Sequence, residues 1–193
     1  MNQYAVYKND IDNAVKTLMN GGIILYPTDT IWGIGCDATN EKAVSRVYNL
    51  KNREDSKSML VLIESENRLP TYMEEVPDIA WELIDVADKP LTIIFPGARN
   101  FAKNLIGIDG TVGIRITREE FSANLIRKFG KPIVSTSANF SGKKSPSIFS
   151  EIDRKIMERV DYVVNYRQDD TQKKQPSGII RIGVKGEVEV LRH

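Results

Sequence analysis

The sequence predicts an α/β protein built on an open, mixed sheet with helices on its faces. Three observations predict it. Amphipathic segments with helical spacing alternate with short apolar runs. The strand-like runs cluster late, and the last two are separated by a glycine-containing turn of hairpin length, which an all-parallel sheet does not accommodate. The composition is globular: 193 residues, 41% hydrophobic and 27% charged, the size of one domain spanning residues 1–193.

The elements follow in order. Ile11, Val15 and Leu18 fall on one face of a helix predicted over Asn9–Asn20, which Gly21 and Gly22 end. Ile23–Tyr26 is a buried strand stopped by Pro27, and PTDTIWGIGCDATN is a loop. Glu41–Leu50 is a second amphipathic helix, capped by Thr39 or Asn40. Met59–Ile63 reads as a strand buried on both faces, Pro77–Val86 as a helix, and Leu91–Phe95 and Thr111–Ile116 as strands. A helix over Glu119–Phe129 ends at Gly130, and a strand over Pro132–Ser135 runs into STSANFSGKKSPS. Ser150–Val160 is a helix and Tyr162–Val164 a short strand. Ile179–Ile182 and Val188–Leu191 close the chain as a hairpin. The polar stretch from Arg167 to Pro176 is a predicted mobile surface loop.

Composition excludes several chemistries. One cysteine, Cys36, rules out an internal disulfide framework, and one histidine, the final His193, rules out a Ser-His-Asp triad or a histidine metal cluster. With 27 Lys and Arg against 26 Asp and Glu, the net charge of +1 does not suit a generally polybasic nucleic-acid binder. There is no Walker loop and no GxGxxG. The polar N-terminus and short apolar runs predict a cytoplasmic, non-membrane protein. Cys36, Trp32 and Trp81 read as packing residues, and Lys173-Lys174 as a solvated pair.

Four segments carry chemistry. Thr28-Asp29-Thr30 follows a strand end, where ligands bind in open α/β sheets, with Gly33 and Gly35 close behind. A turn in which Asp29 and Thr30 bond their own backbone is the plainer reading of that segment alone. Lys51, Arg53 and Lys57 at a helix end suit a triphosphate, or merely complement the helix dipole. Ser135-Thr136-Ser137-Ala138-Asn139 feeds hydroxyls and an amide into a Gly- and Lys-containing loop, the make-up of a phosphate cradle. Arg115 alternates with Ile114 and Val112, which puts a guanidinium on one face of a sheet. There it binds a carboxylate or occupies an edge position.

Taken together and in order, YPTDTIWGIGCDA, KNREDSKSMLVLI, KPLTIIF, TVGIRI, KPIVSTSANFSG and QPSGII resemble the threonylcarbamoyl-AMP synthase family in its short branch, the YrdC-like fold. The likeness runs from about Asn9 to Arg192. It implies a twisted sheet with a basic concave site. It also implies formation of L-threonylcarbamoyladenylate and pyrophosphate from ATP, L-threonine and bicarbonate. The product would serve a tRNA-modifying threonylcarbamoyl transferase complex that makes t6A, and RNA is a further implied partner. Carried over by position, threonine falls to Thr30, Arg115, Ser135 and Ser177, and ATP to Arg53, Lys57, Thr111, Ser137, Ser145 and Arg192. Lys51, Arg53, Ser137 and Asn139 are the implied catalytic set. Magnesium would arrive on the ATP phosphates, with no protein metal site. Two positions depart from the family pattern: Glu54 in place of a proline, and Gly178 in place of a hydroxyl residue. They are the best arguments for the alternatives, an RNA-binding module or an ATP-dependent enzyme with another small acceptor.

Overall fold

The computed structural model describes residues 3–52 and 59–193. Helices α1 (Gln3–Met19), α2 (Glu41–Lys51), α3 (Leu69–Tyr72), α4 (Asp78–Val86), α5 (Glu120–Phe129) and α6 (Arg154–Met157) flank one mixed sheet. Its strands are β1 (Ile24–Tyr26), β2 (Gly33–Gly35), β3 (Leu60–Ile63), β4 (Leu91–Phe95), β5 (Val112–Ile116), β6 (Ile133–Ser137), β7 (Tyr162–Val163), β8 (Gly178–Ile182) and β9 (Val188–Arg192). The spatial order is β7-β1-β2-β6-β3-β5-β4-β8-β9. Parallel pairs (β1 with β7, β3 with β5, β4 with β8) are interleaved with antiparallel ones, and β8–β9 is the predicted hairpin.

Local chemistry sets the element ends. Asn40 caps α2, its Oδ1 accepting from the N–H groups of Lys42 and Ala43 at 3.0 and 3.1 Å. Glu119 caps α5 in the same way through Phe121 and Ser122, and Gly130 ends it with φ 77°. Tyr7 and Phe121 meet edge-on at 5.5 Å and seat α1 against α5. Asp10, buried in α1, accepts from the Tyr162 hydroxyl, the Asn165 amide and the backbone N–H groups of Asn165 and Tyr166. Burial works to raise its pKa, yet these donors together hold it below the usual carboxylate range.

Three expectations change. The loop predicted after β1 contains β2, a three-residue Gly-Ile-Gly strand antiparallel to both β1 and β6. The helix predicted over Ser150–Val160 is a 3-10 turn at Phe149–Glu151 followed by the four-residue α6, because Asp153 caps Lys155 N at 2.9 Å and restarts the helix. The first helix begins at Gln3 rather than Asn9.

Gly35 has a steric reason. A Cβ there would lie 2.6 Å from Tyr26 Cε1 and 2.8 Å from the Val134 carbonyl oxygen. The Tyr26 ring, fully buried, lies across the two glycines of β2. Gly35→Ala is therefore expected to cost about 1–3 kcal/mol by overpacking. This would be read as a lower urea midpoint at unchanged slope.

Candidate functional site

One face of the sheet carries alternate residues of several strands. By register, Leu60 of β3, Gly113 and Arg115 of β5, Thr92 and Ile94 of β4, and Ser135 of β6 share it. Above this face lies a cavity of about 500 Å³, walled further by Thr30–Gly33, the Gly107–Thr111 turn, Ser137, Ser145, Ser177, Arg181 and Arg192. Among the described lining residues three arginines stand against one carboxylate, Asp109, so the cavity suits an anion.

Arg115 is the buried charge of this wall. Its side chain is 3% exposed, and Nη2 lies 2.9 Å from Asp29 Oδ1 in an ion pair without a hydrogen bond. Its Nε is buried with no hydrogen-bond partner. Next to it, the Thr92 and Ser177 hydroxyls bond at 2.8 Å. Arg192 donates from Nε to the Ser177 carbonyl at 2.8 Å. Burial, and then the field of Arg115, take the Arg192 pKa below the ordinary guanidinium value.

The turn before β2 is built by Thr28. Its hydroxyl donates to the Ile31 carbonyl at 2.7 Å, accepts from Thr30 N at 3.1 Å and meets the Thr30 hydroxyl at 3.1 Å. The turn is self-bonded, but through Thr28 rather than through Asp29 and Thr30, and it still delivers Thr30 to the cavity wall. Trp32 is buried against Phe149, ring centroids 4.8 Å apart, and also borders the cavity.

Of the residues predicted from sequence, Thr30, Thr111, Arg115, Ser135, Ser137, Ser145, Ser177 and Arg192 all reach this one wall. Arg53 and Lys57, with Glu54, lie outside the described residues. Lys51 and Asn139 do not line the cavity. The Lys51 ammonium, 2% exposed, donates to the Ser137 carbonyl and to that of Asn139 at 2.7 Å, while its own carbonyl accepts from Ser141 N at 2.9 Å. The Asn139 amide donates to the carbonyls of Phe140 and Lys143 at 3.0 and 2.6 Å. Both side chains shape the loop after β6 from behind, because that loop offers carbonyls inward.

The Sua5/YciO/YrdC family model, described as telomere recombination, matches residues 16–193. The chain belongs to this family. A protein of Methanocaldococcus jannaschii is 40% identical over 173 residues, 86% of this chain and 77% of its own. The threonylcarbamoyl-AMP synthase of Pseudoalteromonas translucida is 32% identical over 161 residues, covering 82% and 86% of the two chains. Among solved structures, P. abyssi Sua5 complexed with L-threonine superposes with a TM-score of 0.83 at 25% identity. That match takes in 94% of this chain, which spans about half (53%) of the P. abyssi one.

Within this Sua5/YciO/YrdC domain, sequence reasoning had passed over Thr92 and Arg181, and had not paired Asp29 with Arg115. Thr92 and Arg181 sit in strands that read as plain core and edge, and only the register of β4 and β8 brings them to the site. Gly178, the departure from family pattern, is not forced by packing. A Cβ there meets the Arg192 carbonyl oxygen at 3.5 Å and Leu91 Cδ1 at 3.6 Å, ordinary contacts. No helix of the described residues is long and apolar enough to cross a membrane.

The loop clamp has a measurable consequence. Lys51→Met removes charge-assisted bonds worth about 1.5–3 kcal/mol each and strands two inward carbonyls. Thermal stability and ATP affinity are expected to fall together in this variant. Loss of ATP affinity at wild-type stability would instead place Lys51 on the nucleotide.

Proposed function

We propose that this chain is a threonylcarbamoyl-AMP synthase. It forms L-threonylcarbamoyladenylate, pyrophosphate and water from ATP, L-threonine and bicarbonate. The observation that carries the reading is Arg115: a buried guanidinium with an unpartnered Nε, set in the wall of a hydroxyl-lined, arginine-rich cavity. Relatives named for this activity, and a neighbour crystallised with L-threonine, support it.

In this reading Arg115 takes the threonine carboxylate, and Thr30, Ser135 and Ser177 hold the rest of the amino acid. The threonine amine combines with bicarbonate, losing water, to give a carbamate. A carbamate oxygen then attacks the α-phosphorus of ATP, and the bond to the bridging oxygen breaks as pyrophosphate leaves. Thr111, Ser137, Ser145 and Arg192 position the nucleotide, with Arg53 and Lys57 assigned to the triphosphate. Lys51 and Asn139 act by holding the loop that presents Ser137. Catalysis is placement and charge stabilisation, and the described site offers no histidine or carboxylate dyad for another route.

Magnesium, in this proposal, comes with the nucleotide and shields phosphate charge. Among the described residues no group of three or more His, Cys, Asp or Glu could hold an ion. Asp109, the one carboxylate lining the cavity, accepts from the Thr111 hydroxyl at 2.7 Å. The adenylate passes to a tRNA-modifying transferase complex that makes t6A. ATP and tRNA place the work in the cytoplasm, and contact with RNA belongs to that hand-off.

Two measurements test this. Pyrophosphate release is expected to require threonine and bicarbonate together. Release with ATP alone would overturn the reading, and release with a different small acceptor would favour the alternative activity. In titrations, Arg115→Lys is expected to weaken threonine binding at least about tenfold with ATP binding unchanged, because lysine lacks the bidentate fork. Ser137→Ala is expected to weaken ATP alone, by about 0.5–1.5 kcal/mol. Equal loss of both ligands in Arg115→Lys would make the arginine structural.

A further inference from the structure

Asp29 stands in the turn between β1 and β2 and reaches the end of the sheet to meet Arg115. The two side chains are 12% and 3% exposed, and the Oδ1–Nη2 distance is 2.9 Å. A guanidinium in so dry a place needs an opposite charge. Asp29 supplies it as an ion pair at one amino group, and neither its Oδ1 nor Arg115 Nε has a hydrogen-bond partner. Arg115 lines the reaction cavity, whereas Asp29 is not part of that wall. The carboxylate therefore approaches Arg115 from behind. Asp29 is itself held by the Thr28-centred turn, whose hydroxyl network fixes both flanking residues.

We infer that Asp29 is a positioning residue for the amino-acid substrate. By drawing Nη2 toward its Oδ1 through charge, it biases the rotation of the Arg115 guanidinium, so that Nε–H faces the carboxylate of the bound amino acid. The inference rests on the reading of Arg115 as the carboxylate grip. It adds that the grip is aimed by a second carboxylate that touches no substrate.

The opposite role is chemically reasonable and gives the opposite sign. An aspartate beside Arg115 also competes with the substrate carboxylate for the same charge. If competition were its main effect, neutralising Asp29 would improve the use of threonine. If it aims the guanidinium, neutralising it misplaces the threonine amine relative to the α-phosphate and harms turnover.

The test is the pyrophosphate assay with Asp29→Asn, which keeps shape and removes charge, and Asp29→Glu, which keeps charge on a longer arm. Asp29→Asn is expected to lose at least about tenfold in kcat/KM for threonine, with KM for ATP within about twofold of wild type. Asp29→Glu is expected to recover most of that, to within about threefold. Threonine kcat/KM at or above wild type in Asp29→Asn overturns the inference. So does a Glu variant no better than the Asn variant, or a parallel rise in KM for ATP. If Asp29→Asn does not fold, Asp29→Ser takes its place with the same expected loss confined to threonine, and threonine kcat/KM at or above wild type there overturns the inference. Arg115→Lys separates the two claims: unaltered threonine use there removes the carboxylate grip itself, whereas a loss there with wild-type Asp29 variants removes only the aiming role.

Discussion

A guanidinium almost sealed from solvent within a sheet is the constraint around which this molecule is arranged. Arg115 is 3% exposed, and an isolated charge so placed is too costly to keep. Its compensation comes from Asp29, far away in sequence, so the turn after β1 has to fold over the sheet end. That turn is fixed by one threonine hydroxyl, and it leads directly into β2 beside β6. The path of the chain between residues 26 and 37 thus joins that carboxylate to a strand paired on both sides.

A second buried cation is solved differently. Lys51 donates to the backbone carbonyls of Ser137 and Asn139, so dipoles at the end of β6 and just after it meet its charge. The same contacts fix the loop after β6, and Asn139 completes it by donating to two more carbonyls. The two cations divide the labour. Arg115 keeps a donor for the cavity, while Lys51 gives its donors to the wall that encloses it.

Much of this was legible beforehand, for identifiable reasons. Period-two alternation around Arg115 put its charge on one sheet face, and the caps at Asn40 and Gly130 announced their helices. The hydroxyl-rich end of β6 stood out because strand ends rarely carry such density of small polar groups. What stayed hidden was long-range. A three-residue Gly-Ile-Gly strand has no propensity signal, and only pairing on both sides makes it a strand. Lys51 read as a cation for a triphosphate or for the helix dipole, because its burial depends on a loop some ninety residues away. Thr92 carried no mark until β4 was placed beside β5.

The glycines of β2 bear on how such a site can diversify. Gly33 borders the cavity, and a Cβ there would come within 3.0 Å of Ser135 Oγ. At Gly35 the clash is with the Tyr26 ring and a main-chain carbonyl. On that side a side chain at either glycine of β2 would crowd its neighbours. The opposite wall is more permissive: Arg181 lines it from an exposed position of β8. Lineages that acquire new acceptors are therefore expected to accumulate their changes along β8 and to leave β2 untouched, so that selectivity drifts on one shore of the cavity alone.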